Sequence, residues 1–191
     1  MTVKMVTDLP AMLADEAWAV YYAAFRELNA LAVQRHLMYR SEFDEVMNDR
    51  RVRKYLAVDD DGTLAGLSTF TDHLDAVPLI SPQYFERRWP RHYAEHRIWY
   101  IGFVAVKPTR WGSRAFGELV EAMRQVAAPQ AGIVGIDVCM HNASGKTHRH
   151  LPEAVRRMVA GPSPGVRMSC ADTQSYWMYT FPDGTGEPSM P

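Results

Sequence analysis

Apolar positions change their period several times along the chain, and each change marks an element. Residues 3–8 (VKMVTD) roughly alternate and are closed by Leu9 and Pro10, which predicts a first strand. Over 11–31, Leu13, Ala17, Val20, Tyr21, Ala24 and Leu28 recur at helical spacing, the apolar face of a long helix. Ser41 followed by Asp44 resembles an acidic capping box and predicts a second helix over 41–48, with Phe43 and Val46 on its apolar side. Residues 52–58 and 63–72 carry strand patterns on either side of the turn DDDG, which reads as a hairpin. The rhythm then breaks, because 73–97 contains Pro78, Pro82 and Pro90 and reads as an inserted connector with a short helix. Residues 98–106 (IWYIGFVAV) are almost wholly apolar, as expected for a central strand covered on both faces, and Pro108 stops the run. A helix follows over 115–127, a buried strand over 133–140 and a helix over 152–159 with Pro152 at its first position. Two closing strands are expected over 166–171 and 175–181, before a frayed tail over 182–191.

These elements make one mixed α/β (α+β) domain over 1–181, with about seven strands and about four helices. Composition excludes disorder as the main state: 47% of the 191 residues are apolar, enough to offset conformational entropy by burial. With 21 Lys and Arg against 22 Asp and Glu the formal charge is −1, so no global field favours nucleic acid or an anionic membrane, and neither is expected as a partner. Cys139 and Cys170 are too few for a disulfide framework and lack a metal-binding spacing, so both read as reduced thiols and no metal is expected. No apolar run approaches the roughly 18 residues of a membrane span, and the first residues lack a secretory pattern. A cytoplasmic protein is expected.

The most informative stretch is VAVKPTRWGSRAFGELV, residues 104–120, in which a buried strand runs through a tight loop into a long helix. Free N–H groups and partial positive charge at a helix start, with a glycine that lets the backbone come close, suit an anion such as a phosphate. Gly112 between Arg110 and Arg114 fits that need, although Gly112 also suits a plain helix-opening turn and both arginines suit solvated surface charge. Neither GxxxxGK[ST] nor GxGxxG is present, which argues against a nucleotide P-loop and a dinucleotide fold.

Element order over nearly the whole chain resembles the GNAT acyltransferase family, with the residue-level likeness concentrated in 101–142. In that family a strand ending in V-x-P leads into Q/R-x-x-G-x-G/A, whose backbone amides hold the pyrophosphate of acetyl-CoA or another acyl-CoA. Val106 and Pro108 match the strand end, Gly112 the glycine and Leu119 a helix position behind it. Trp111 stands where the family usually has Arg or Gln, Arg114 where it usually has Gly, and Phe116 where it has a small residue. The resemblance implies one GNAT-like domain with a mixed, mostly antiparallel sheet, which moves an acetyl or other acyl group to a primary amine by direct attack. It places Val104, Val106, Arg110, Trp111, Gly112, Ser113, Arg114 and Asn142 against the acyl-CoA, with Asn142 also suited to an Asx turn.

Amine acylation needs a base or water path for the amine, stabilisation of the tetrahedral oxyanion and a proton for the leaving thiolate. The family often places a Glu on the central strand and a Tyr in the helix that follows the next strand; here 98–106 contains no carboxylate and KTHRH occupies the region of the tyrosine. His148 and His150 are therefore candidate proton donors, or members of a basic surface loop. Asp137, expected within a strand, is a candidate to orient the amine or a structural polar contact with His141. Tyr176 is a further donor candidate on a closing strand. In the connector, Tyr84, Phe85 and Trp89 could wall an acceptor or acyl pocket, or form a satellite core under arginine stems. Its arginines, Arg87, Arg88, Arg91 and Arg97, would suit an acidic acyl carrier protein, the donor used by the similarly folded acyl-homoserine-lactone and N-acyl amino acid synthases. A third reading is a non-catalytic ligand-binding module on the same fold, and a homodimer through strand edges is compatible with all three.

Overall fold

A computed structural model describes residues 1–108, 112–144, 150–160 and 165–179. Its five strands are β1 (Thr2–Val6), β2 (Arg53–Val58), β3 (Leu64–Thr71), β4 (Ile98–Val106) and β5 (Ile133–Ile136), paired in chain order in one sheet. The first three pairings are antiparallel, and β4 and β5 are parallel. The eight α-helices of the described residues are α1 (Ala14–Phe25), α2 (Leu28–Leu31), α3 (Arg40–Asn48), α4 (Pro82–Arg88), α5 (Pro90–Ala94), α6 (Gly112–Ala127), α7 (Met140–Ala143) and α8 (Leu151–Ala160). The architecture is the mixed, mostly antiparallel α/β domain expected, with fewer strands and more helices.

Each difference in count has a local cause. The pattern over 11–31 spans a 3-10 turn, α1 and α2, because the helical ladder lapses at Arg26 and Glu27 while the apolar spacing continues through them. Proline opens both α4 and α5, so the connector holds two short helices where one was expected. The strand expected over 133–140 ends at Ile136, and Cys139 already caps α7. No strand forms in the described part of 166–181. Over 166–179 the alternating sequence is exposed and carries no regular secondary structure, tied down by Tyr84, whose hydroxyl donates to the Ala171 carbonyl at 3.0 Å, and by Tyr176, whose hydroxyl donates to Gln34 Oε1 at 3.3 Å. Alternation favours a strand only where a neighbouring edge pairs with it. The expected tail, 182–191, lies outside the described residues.

The cap of α3 also differs from the expected Ser41–Asp44 box. Tyr39 is the N-cap residue, and Glu42 accepts its backbone N–H at 2.7 Å while Arg35 grips the same carboxylate through two hydrogen bonds of 2.7 Å. Asp44 instead pairs with Arg40 at 2.9 Å.

Two apolar layers sandwich the sheet. On one face Tyr55, Phe70, Trp99 and Ile101 meet Ala115, Leu119, Val120 and Met123 of α6, with Phe70 and Trp99 stacked at 4.9 Å. On the other, Leu56, Leu67, Phe103 and Ala105 meet Val20 and Tyr21 of α1 and Phe43 of α3. Each large side chain so buried contributes about 1.5–3 kcal/mol. Near the start of β4 a smaller cluster, Leu74, Ile98 and Tyr100, is covered by Phe85, Trp89 and Tyr93. Lys54 is wholly buried on β2, between β1 and β3, and donates to the carbonyls of Thr7 and Asp49 at 2.9 and 2.6 Å, joining the end of β1 to the end of α3.

Candidate functional site

The sheet opens in the middle of β4. Thr69 pairs with Phe103 and Phe70 with Ile101, which leaves Gly102 as an extra residue, a β-bulge. A Cβ on Gly102 would lie 2.6 Å from Thr69 Oγ1, so the bulge is closed too tightly for a larger residue without movement. Alternation inverts across it: Trp99 and Ile101 face α6 before the bulge, Val104 and Val106 after it, while Phe103 and Ala105 turn to α1. The β4–β5 ladder ends just there, at Ile101 and Ile136. Beyond that pair β4 continues to Val106 with no strand beside it on the β5 side among the described residues, and a fork opens between the two strands. Gly102 is exposed and Val104 and Val106 are half-buried along it.

At the mouth of the fork the chain turns from β4 into α6. A Cβ on Gly112 would stand 2.6 Å from the Lys107 carbonyl oxygen, so the first residue of α6 sits directly against the backbone leaving β4. This close approach brings the N-terminus of the helix, with its unsatisfied N–H groups, to the strand end. Arg114 is exposed in that first turn and loosely paired with Glu118 at 3.9 Å. Lys107 forms an ion pair with Glu16 of α1 at 3.3 Å, and Glu16 also accepts the Leu64 N–H. Arg110 and Trp111 lie outside the described residues, as does the side chain of Ser113.

At the apex of the fork lies a pair of residues of which sequence reasoning singled out one member. Tyr100 pairs in register with Gly135, and a Cβ there would meet its ring at 2.9 Å, so the glycine lets the ring lie across β5. The hydroxyl thereby reaches Asp137, to which it donates a 3.1 Å hydrogen bond. Burial, reinforced by the Asp137 carboxylate, pushes the Tyr100 hydroxyl well above the usual phenol range, so it remains protonated at neutral pH. Asp137 lies one residue past β5, not within the strand as expected, and is exposed. Its partner is Tyr100, and no bond to His141 is formed. Tyr100 was legible only as strand core, because the glycine that makes room for it is 35 residues away and register is not written in either segment.

The remaining candidates are dispersed. Asn142 is half-buried on α7, beyond the end of β5. His150 is exposed, its carbonyl accepting the Ala154 N–H at 2.8 Å as α8 begins, and His148 lies outside the described residues. Tyr176 is engaged by Gln34 and does not join Asp137. Phe85 and Trp89 pack on Ile98 and Tyr100, with the Phe85 ring edge-on to Tyr100 at 6.2 Å, and Tyr84 stands at the rim. The connector thus buttresses Tyr100 from behind. A separate cleft of about 280 Å³, lined by Asp72, His73, Asp75, Tyr93 and His96, lies at the opposite end of β4 from the fork.

Structural likeness settles the architecture. The tetramutant BH1408 protein from Bacillus halodurans superposes with a TM-score of 0.55 over 94% of this chain and 100% of its own, at 14% identity. A probable acetyltransferase matches with a TM-score of 0.53 over 96% of this chain and 99% of its own, also at 14% identity. The chain has the GNAT fold. The aminoglycoside 6'-N-acetyltransferase from Enterococcus faecium is a looser match, with a TM-score of 0.47 and 17% identity over 71% of this chain, which spans only 61% of that protein. No protein-family model and no curated protein sequence matches. On the GNAT fold seen here, bulge, fork and glycine-led helix form one continuous feature. No helix of the described residues is long and apolar enough to cross a membrane.

Proposed function

We propose that the protein is an acyl-CoA-dependent N-acyltransferase that moves a small acyl group, acetyl in the first instance, to a primary amine by direct attack. The observation that carries this reading is the fork: an exposed β4 edge from Gly102 to Val106 that leads from a bulge to the N-terminus of α6. Backbone groups on such an edge need partners, and the amides of a pantetheine arm laid between the strands would supply them. The helix start at Gly112 would take the pyrophosphate, with Arg114 beside it and Arg110 and Trp111 just before it in sequence. An arm held this way brings its thioester to the apex, where the N–H groups around the bulge can stabilise the oxyanion of the tetrahedral intermediate. Both full-length structural neighbours share this fold, and one of them is described as a probable acetyltransferase.

Calorimetry with CoA, acetyl-CoA and a long-chain acyl-CoA tests the reading. Binding of acetyl-CoA by the unaltered protein and its loss in a folded Gly112→Val variant are the expected results. Equal affinity in the variant, or no binding of any CoA species, would sink it.

A further inference from the structure

We infer that Tyr100 and Asp137 form a proton-transfer pair at the apex of the fork, with Asp137 as the base for the attacking amine and Tyr100 as the acid for the departing thiolate. The inference rests on the acyltransferase reading above and assigns the step for which that reading has no residue. The Tyr100 hydroxyl and an Asp137 carboxylate oxygen are 3.1 Å apart, already hydrogen-bonded, and stand where β4 and β5 part. Their environments are opposite in kind. The tyrosine ring is 6% exposed, held between Gly135 and Phe85, whereas Asp137 is open to solvent and hence to an incoming amine. A buried phenol beside an accessible carboxylate is a donor and an acceptor kept in fixed order, the arrangement that acid–base catalysis uses.

The bonds balance in a single turnover. The neutral amine nitrogen attacks the thioester carbonyl and forms the C–N bond, and the proton that the nitrogen sheds passes to Asp137. Collapse of the tetrahedral intermediate breaks the C–S bond, and Tyr100 gives its proton to the sulfur. Asp137 then returns its proton across the existing hydrogen bond to the tyrosinate, so the products are the amide and free CoA thiol, and both side chains are restored. His150, Tyr176 and Asn142 take no part in this step.

Two shape-conserving variants test the pair. Tyr100→Phe keeps the ring against Gly135 and Phe85, and Asp137→Asn keeps the side-chain volume at an exposed position. Thiol release from acetyl-CoA, with a panel of primary amines and with water alone as acceptor, is followed in parallel with calorimetric CoA binding. Both variants are expected to bind CoA as the unaltered protein does and to lose about a hundredfold or more in kcat. Asp137→Ala is expected to recover part of its turnover on addition of formate, which a residue that only braces the fold would not show. Turnover in Tyr100→Phe or Asp137→Asn equal to that of the unaltered protein would overturn the pair and leave the acyltransferase reading intact. Binding of CoA without turnover by the unaltered protein would also overturn it. Absence of CoA binding throughout would remove the acyltransferase reading and this inference together.

Discussion

Any side chain at residue 102 must displace Thr69, whose Oγ1 would lie 2.6 Å from the new Cβ. Gly102→Ala is therefore expected to cost about 1–3 kcal/mol in urea unfolding. Thr69→Ala removes the obstructing oxygen, so the double variant should recover most of that loss; simple additivity of the two would refute the steric account. Tyr21 offers a second residue-level test. Its hydroxyl, on a ring 1% exposed, donates to the His36 carbonyl at 3.0 Å and accepts the Met38 N–H at 2.9 Å, pinning the chain between α2 and α3 to α1. Burial pushes this hydroxyl up to about 12, so it stays a neutral donor through the working pH range. Tyr21→Phe leaves both backbone groups without that partner and should destabilise the fold by about 1–3 kcal/mol, measured by chemical unfolding.

Among the elements, α3 carries the clearest pH dependence. The Arg35 guanidinium, aided by the Tyr39 N–H, lowers the Glu42 carboxyl from its ordinary 4.5 to about 2. A group lowered by folding stabilises the native state above its unfolded value, and this contribution fades as the pH falls from 4.5 toward 2. The stability difference between the unaltered protein and Glu42→Gln should therefore be constant above pH 5, shrink through that window and vanish near pH 2. A difference that persists at pH 2 would show that the cap acts by shape alone. Elements were legible in the sequence wherever one segment carried its own signal. The run 98–106 coincides with β4, whereas the prolines at 82 and 90, read only as breaks in the rhythm, open two helices where one was expected. Signals shared between segments were not legible. Gly102 reads as one small residue in an apolar run until β3 is laid beside it, and Tyr100 meets Asp137 only because Gly135 falls opposite it. Conversely, 166–181 alternates like a strand, but its described part pairs with neither edge of the sheet.

For the whole molecule, β4 belongs to every apolar cluster, giving Trp99 and Ile101 to one, Phe103 and Ala105 to a second, and Ile98 and Tyr100 to the third. Neither face can come apart while the strand that both share stays ordered. Tryptophan fluorescence and far-UV circular dichroism should accordingly report one coincident unfolding transition, and Phe103→Ala should lower its midpoint with a loss of about 3–5 kcal/mol. Separate transitions for the two probes would mean that the layers melt independently. The inversion at Gly102 also divides β4 into two registers that meet at a single residue. Removing that residue would join the two registers into one regular alternation, with Ile101, Val104 and Val106 still toward α6, Phe103 and Ala105 still toward α1, and the pairing with β3 kept on both sides. Both apolar layers are thus written in the phase of a strand one residue shorter, and Gly102 is an insertion they accommodate: its deletion should leave the two layers packed and erase the bulge alone.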